Sequence, residues 1–193
     1  MRQIFIVSLM SSLISMILAA VIFFAFTGKL GDNADNGRAI NNISSSTMKI
    51  SSDAFFNNGP MPEKFTADGE KINPRLSIEG VPQTAKSLVL IVDDPDATSG
   101  TFTHWTVWNI DPAVAGIAEN SIPEGAVQGI TSDGEPGYVP PAPPSGTHRY
   151  YFKVYALDTK LDLQGSAGIS GLMSAMEGHI LDKAELMGLY GRK

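Results

Sequence analysis

Two of the three histidines in the sequence stand beside loops of unusual composition. His104 follows the Asp94-Pro95-Asp96 turn by eight residues. His148 closely follows a proline-dense stretch that runs from Pro136 to Gly146. Two imidazole N–H groups and the hydroxyl of Tyr150 would make a socket for a small oxyanion, because each can donate a hydrogen bond to it. Asp94 and Asp96 are expected to orient and partly charge the rings rather than touch the anion, as carboxylates do behind metal-bound histidines. Proline fixes φ and has no N–H, so Pro140, Pro141, Pro143 and Pro144 would form a stiff wall with few competing donors. An imidazole titrates near about 6.5, and neighbouring carboxylates raise that value. Anion binding is therefore expected to be strongest below roughly pH 6 and to weaken towards about pH 8.

Other assignments of the same residues are open but carry less. Either histidine alone reads as a partly buried ring satisfied by one hydrogen bond. Ser99 or Ser145 with a histidine and an aspartate suggests a hydrolase, yet Ser145 lies in no Gly-x-Ser-x-Gly elbow. Two histidines and two aspartates suit zinc, but the intervals are long and nothing resembles His-Glu-x-x-His. Glu177 and His179, two apart on an expected helix, point to different sides. The residues thus point to binding rather than catalysis, with no metal and no cofactor.

The elements that must position these side chains look like strands. Ser87 to Val92 is a short continuous apolar run that ends in a turn, which suggests a strand buried on both faces. Phe102 to Ile110 is rich in aromatic and β-branched residues. Strict alternation would place Phe102, His104, Thr106, Trp108 and Ile110 on one face and Trp105, Val107 and Asn109 on the other. One tryptophan is then expected in the core, with the other available to floor the pocket. His148 to Leu157 alternates in the same way, with His148, Tyr150, Phe152, Val154 and Ala156 together. The Pro136–Gly146 stretch reads as an ordered loop outside any hydrogen-bonded ladder. One helix is expected from an N-cap near Ser170, carrying Leu172, Met173, Met176 and Ile180 at helical spacing. Ala184 to Tyr190 reads as more helix or as a returning strand. The expected class is mostly β, an antiparallel sandwich with a late C-terminal helix.

With 14 Lys and Arg against 20 Asp and Glu, the net charge of −6 argues against a nucleic-acid partner. The absence of cysteine excludes disulfides and thiolate chemistry. Ile4 to Phe26 carries no charge and, as a helix, would span roughly 35 Å, enough for a hydrocarbon core of about 30 Å. Residues 1–28 are therefore expected to be a transmembrane anchor or a signal peptide, 29–47 a Gly/Asn/Ser-rich tether, and 48–193 the folded domain. The expected location is a membrane, single-pass with the domain outside the cytoplasm. The alternative is a periplasmic or secreted protein after signal cleavage.

Several of these segments together resemble the phosphatidylethanolamine-binding protein family, in its bacterial, Raf-kinase-inhibitor-like branch. They are Asp94-Pro95-Asp96-Ala97, Thr103-His104-Trp105 and Pro143-Pro144-Ser145-Gly146-Thr147-His148-Arg149-Tyr150. Phe65 to Glu70, Tyr151 to Asp158 and Met176 to Leu181 extend the likeness from about Phe55 to Arg192. The resemblance implies a two-sheet β-sandwich whose small pocket takes a phosphate-like anion or a phosphorylated head group. It implies that Asp94, His104, Pro144, His148 and Tyr150 line that pocket, with Asp96 in the same turn. It also brings in relatives that regulate kinases or inhibit peptidases, so the alternative function is regulation of another protein with the pocket as an accessory site. Bacterial relatives often have cysteine where Ala67 and Ala142 stand, and Gly-Gly where Val139-Pro140 stands. The first difference implies a pocket that needs no thiol, and the second a reshaped mouth.

Overall fold

The computed structural model describes residues 47–192; the expected anchor or signal peptide and nearly all of the tether lie outside them. Nine strands and one α-helix are formed among the described residues. The strands are β1 (Lys49–Ser51), β2 (Gly59–Pro60), β3 (Leu76–Glu79), β4 (Ser87–Asp94), β5 (Phe102–Ile110), β6 (Gly116–Ile117), β7 (Val127–Gln128), β8 (Thr147–Leu157) and β9 (Ile180–Gly191). The helix, α1 (Ile169–Met176), lies between β8 and β9. A small sheet has the order β1-β3-β6 and a large one the order β2-β9-β8-β4-β5-β7. Every strand pair is antiparallel except the short β2–β9 pair.

β4 is buried along its whole length, as its unbroken apolar run predicts. Leu88, Leu90 and Val92 pack with Trp105, Val107, Phe152 and Val154 and with Ile50, Leu76, Ile78 and Ile117 of the small sheet. Val89 and Ile91 point the other way, into a second cluster with Trp108, Leu157, Leu161 and the α1 residues Leu172 and Met176. The large sheet is therefore covered on both faces, by the small sheet and by α1 with the segment before it. That is why an antiparallel strand here reads as a continuous apolar run instead of an alternating one.

Two β-bulges break the alternation expected in β5. Leu88 pairs with Ile110 but Leu90 with Val107, which leaves an extra residue near Asn109. Asn109 takes φ 57°, and its side chain clamps the backbone of Leu161 through two hydrogen bonds of 2.9 and 2.8 Å. Ile110 consequently joins the core of Trp105 and Val107, not the face of Trp108. Val92 pairs with Trp105 but Asp93 with Thr103, so His104 has no opposite residue on β4. Bulges re-aim side chains and are common beside functional sites.

The helix also differs from expectation. It begins at Ile169 with Gly168 at the N-cap and no side-chain cap, so Ser170 lies inside the first turn. It stops at Met176 because Gly178 turns the chain with φ 79°, a conformation cheap only for glycine. Ile180 therefore opens β9, and Ala184 to Tyr190 continues as strand. The helix is late but not C-terminal: β9 follows it and pairs with β8 along its length.

Candidate functional site

A pocket of about 310 Å³ opens at one end of the large sheet. Asp94 reaches it from the end of β4, Phe102 and His104 from the start of β5, and His148 and Tyr150 from the start of β8. Val139, Pro140, Ala142, Pro143 and Pro144 form a wall. These elements converge because β5 and β8 flank β4, so residues more than fifty positions apart in sequence become neighbours.

Each histidine is held by one nitrogen. Nδ1 of His148 lies 2.7 Å from Oδ2 of Asp94, and both side chains are almost fully buried. Nδ1 of His104 lies 2.7 Å from the Val139 carbonyl, while the Val139 N–H donates back to the His104 carbonyl at 2.8 Å. The bulge thus aims His104 at the proline loop and ties the loop to the sheet. The Tyr150 ring lies between the imidazoles, edge-on to His104 with centroids 5.2 Å apart and stacked with His148 at 6.4 Å. Its hydroxyl is buried and makes no hydrogen bond of ordinary geometry, although the Asp94 carboxylate is close enough to act on it. Burial raises the pKa of this phenol, and the nearby Asp94 charge raises it further, so it remains a donor.

The protonation of His104 is opposite in direction to the expectation. Burial lowers its pKa below the usual histidine value. The Val139 hydrogen bond and the charges of Asp94 and Asp93 oppose that shift without overcoming it, and His148 adds to it. Desolvation wins here because the ring is only 5% exposed.

Of the candidate residues, Asp94, His104, Pro144, His148 and Tyr150 come together, whereas Asp96 does not line the pocket. Its carboxylate takes Arg149 in a two-pronged contact at 2.9 and 2.6 Å, and the guanidinium lowers its pKa to about 2. Its backbone N–H donates to Oδ1 of Asp94 at 2.8 Å, so it secures the turn that positions Asp94. Pro141 is behind the wall, where its carbonyl accepts from the Ala67 N–H at 2.9 Å. Neither tryptophan floors the pocket: both are core residues, Trp105 donating to Gln128 and Trp108 to the Leu163 carbonyl. Ser99 and Ser145 are also outside the lining. Val139, Pro140 and Ala142 do line it, so the departures read in the sequence fall at the site itself.

Asp133, Thr98 and Phe102 line the pocket and were not singled out by the sequence. The Phe102 ring packs on His104 with centroids 4.7 Å apart; only its even spacing from His104 hinted at this. Asp133 lies in a turn between β7 and β8 and carries no pattern that marks it. Among the described residues, no group of three or more His, Asp or Glu side chains is placed to hold a metal ion.

The sequence profile of the phosphatidylethanolamine-binding protein family matches residues 51–191. A UPF0098 protein of Methanothermobacter thermautotrophicus is 50% identical over 150 residues, covering 75% of this chain and 99% of its own length. A UPF0098 protein of Pyrococcus horikoshii is 44% identical over 194 residues, covering 96% of this chain and 92% of its own length. Among solved structures, a phosphatidylethanolamine-binding protein homologue of Chlamydia trachomatis superimposes with a TM-score of 0.74 at 45% identity, over 77% of this chain and 100% of the other. Escherichia coli YbcL, described as a member of the mammalian family, superimposes with a TM-score of 0.72 at 28% identity over the same shares. With most of its length matched by the family profile and by homologues of high identity, the chain belongs to the phosphatidylethanolamine-binding protein family.

Proposed function

We propose that the protein is a binding protein whose pocket holds a small phosphate-like anion or a phosphorylated head group, and that it is not an enzyme. The observation that carries this reading is the pair of imidazoles, each tethered through Nδ1, whose Nε2 atoms have no partner among the described residues and are open to the pocket. Among the described residues that line the pocket there is neither a serine nor a cysteine, and the one aliphatic hydroxyl is that of Thr98.

Titration calorimetry with phosphate and phosphoethanolamine at pH 6 tests this. Replacing His104 or His148 by alanine is expected to weaken binding by about 1.5–3 kcal/mol, the range for hydrogen bonds to charged groups. Tyr150→Phe is expected to cost about 0.5–1.5 kcal/mol, since it removes one neutral donor and keeps the ring. Unchanged affinity in all three variants would make these structural residues. Absence of any anion binding, with a stable protein complex recovered from the same cells, would favour the regulator reading instead.

The finer part of the proposal is that the domain is tethered to a membrane, or exported, through residues 4–26. The length and lack of charge of that run support it. Full-length protein is expected in the membrane fraction and residues 48–193 in the soluble fraction. Full-length protein found soluble and uncleaved would refute the anchor, and soluble protein shortened by about 20–30 residues would indicate a cleaved signal.

A further inference from the structure

The free pocket is poor in positive charge. The described residues that line it include no lysine or arginine, and they include two carboxylates, Asp94 and Asp133. The cations nearby are engaged elsewhere: Arg149 by Asp96, Lys153 by Asp93 and Arg192 by Asp68. The Val139 carbonyl can only accept, so the Nδ1 atom of His104 carries the proton. The Asp94 carboxylate likewise accepts from Nδ1 of His148. A neutral imidazole has one donor nitrogen and one acceptor nitrogen, so the neutral His104 ring holds a lone pair at Nε2. Among the described residues neither Nε2 has a protein partner, and neither is sealed off from solvent. Of the two hydroxyls among the lining residues, that of Tyr150 is buried, which leaves Thr98 as the open side-chain donor. An oxyanion that enters this site unprotonated meets the Nε2 lone pair of the neutral His104 ring.

We propose that the pocket takes up a proton together with its anion, the bound state being an oxyanion held by the Nε2–H of an imidazolium. The proposal rests on the anion-binding reading above. The step balances simply: the protein with His104 neutral, a phosphomonoester dianion and one proton from solvent give a complex in which the new Nε2–H of His104 donates to a phosphate oxygen. A ligand that arrives as the monoanion brings the same proton as its own P–OH. His104 is faced by Asp94 and Asp93 from β4, by His148 and Tyr150 from β8, and by the Val139 carbonyl; Asp133 shares the cavity. Burial holds the free ring neutral at pH values where an exposed histidine is half charged. A bound anion reverses that preference. Between the titration ranges of the free and bound rings the complex holds more protons than its components, so affinity falls as pH rises.

Titration calorimetry of the full-length protein at pH 7.5, in two buffers of different ionisation enthalpy, reads the proton directly. Phosphoethanolamine, whose phosphate has a second pKa of about 6, is then a dianion. Sulfate, which carries no proton of its own, serves as the second probe. The expected result is uptake of about half to one proton per anion with both probes, and affinity that falls by up to about tenfold per pH unit above pH 7. His104→Gln, whose amide donates without titrating, is expected to keep measurable binding with a flatter pH profile. Binding whose heat is the same in both buffers overturns the proposal and leaves the anion reading standing. No binding of either probe, even at pH 6, overturns both.

Discussion

Asp94→Ala is expected to destabilise the domain by about 3–5 kcal/mol, the range for removing one partner of a buried, hydrogen-bonded pair. The Asp94 carboxylate is 3% exposed and accepts two bonds, from Nδ1 of His148 and from the backbone N–H of Asp96. Alanine leaves both donors without their acceptor and opens the turn that Asp96 and Arg149 hold closed. Asp94→Asn keeps an acceptor oxygen of the same shape and is expected to lose less. Urea unfolding measures both. A midpoint in the alanine variant equal to the parent's would mean that the Asp94–His148 pair contributes nothing to the fold, and that His148 is placed by its strand alone.

Trp108→Ala is the second large effect, also about 3–5 kcal/mol, the range for truncating a buried aromatic. Trp108 is fully buried in the cluster that joins Val89 and Ile91 of β4 to Leu161, Leu172 and Met176. Its Nε1–H donates to the Leu163 carbonyl at 3.3 Å, so the truncation also unpairs the segment before α1. The neighbouring backbone cannot collapse inward freely. A Cβ placed on Gly129 would already come within 2.4 Å of the indole and 2.7 Å of the Ala167 carbonyl, which shows how closely glycine lets these parts approach. The pocket lies on other residues, so anion affinity measured while the variant is folded is expected to be unchanged. A drop in thermal stability without a change in affinity fits this account. An affinity loss as large as that of the histidine variants would mean that the covered sheet face and the pocket are coupled.

The residues that meet in the pocket were legible because histidine is rare in the sequence and the local settings are unusual. Histidines beside a Pro-Asp turn and a proline loop stand out against a chain with few histidines, and β4 announced its double burial by the unbroken apolar run over 88–92. What strict alternation missed was caused by single inserted residues. The bulges at His104 and near Asn109 shift faces by one position, and a period-2 reading has no means of seeing a register shift set by partners on another strand. The N-cap at Gly168 was hidden because that glycine caps without a side-chain bond. Asp96 stands in the expected turn, but its partner differs from expectation for another reason. Two carboxylates in one turn look equivalent in sequence, and only the position of Arg149, fifty-three residues on, draws one of them outward. The lowered pKa of His104 followed from burial, which is invisible before the strands are assembled.

A crystal structure of the protein grown in phosphate tests the central claim most directly. The account predicts a tetrahedral anion in the pocket of Asp94, His104, Pro144, His148 and Tyr150. Its oxygens should include one about 2.6–3.2 Å from Nε2 of His104 or His148. A pocket that holds only water at saturating phosphate, or an anion bound elsewhere on the domain, would contradict it.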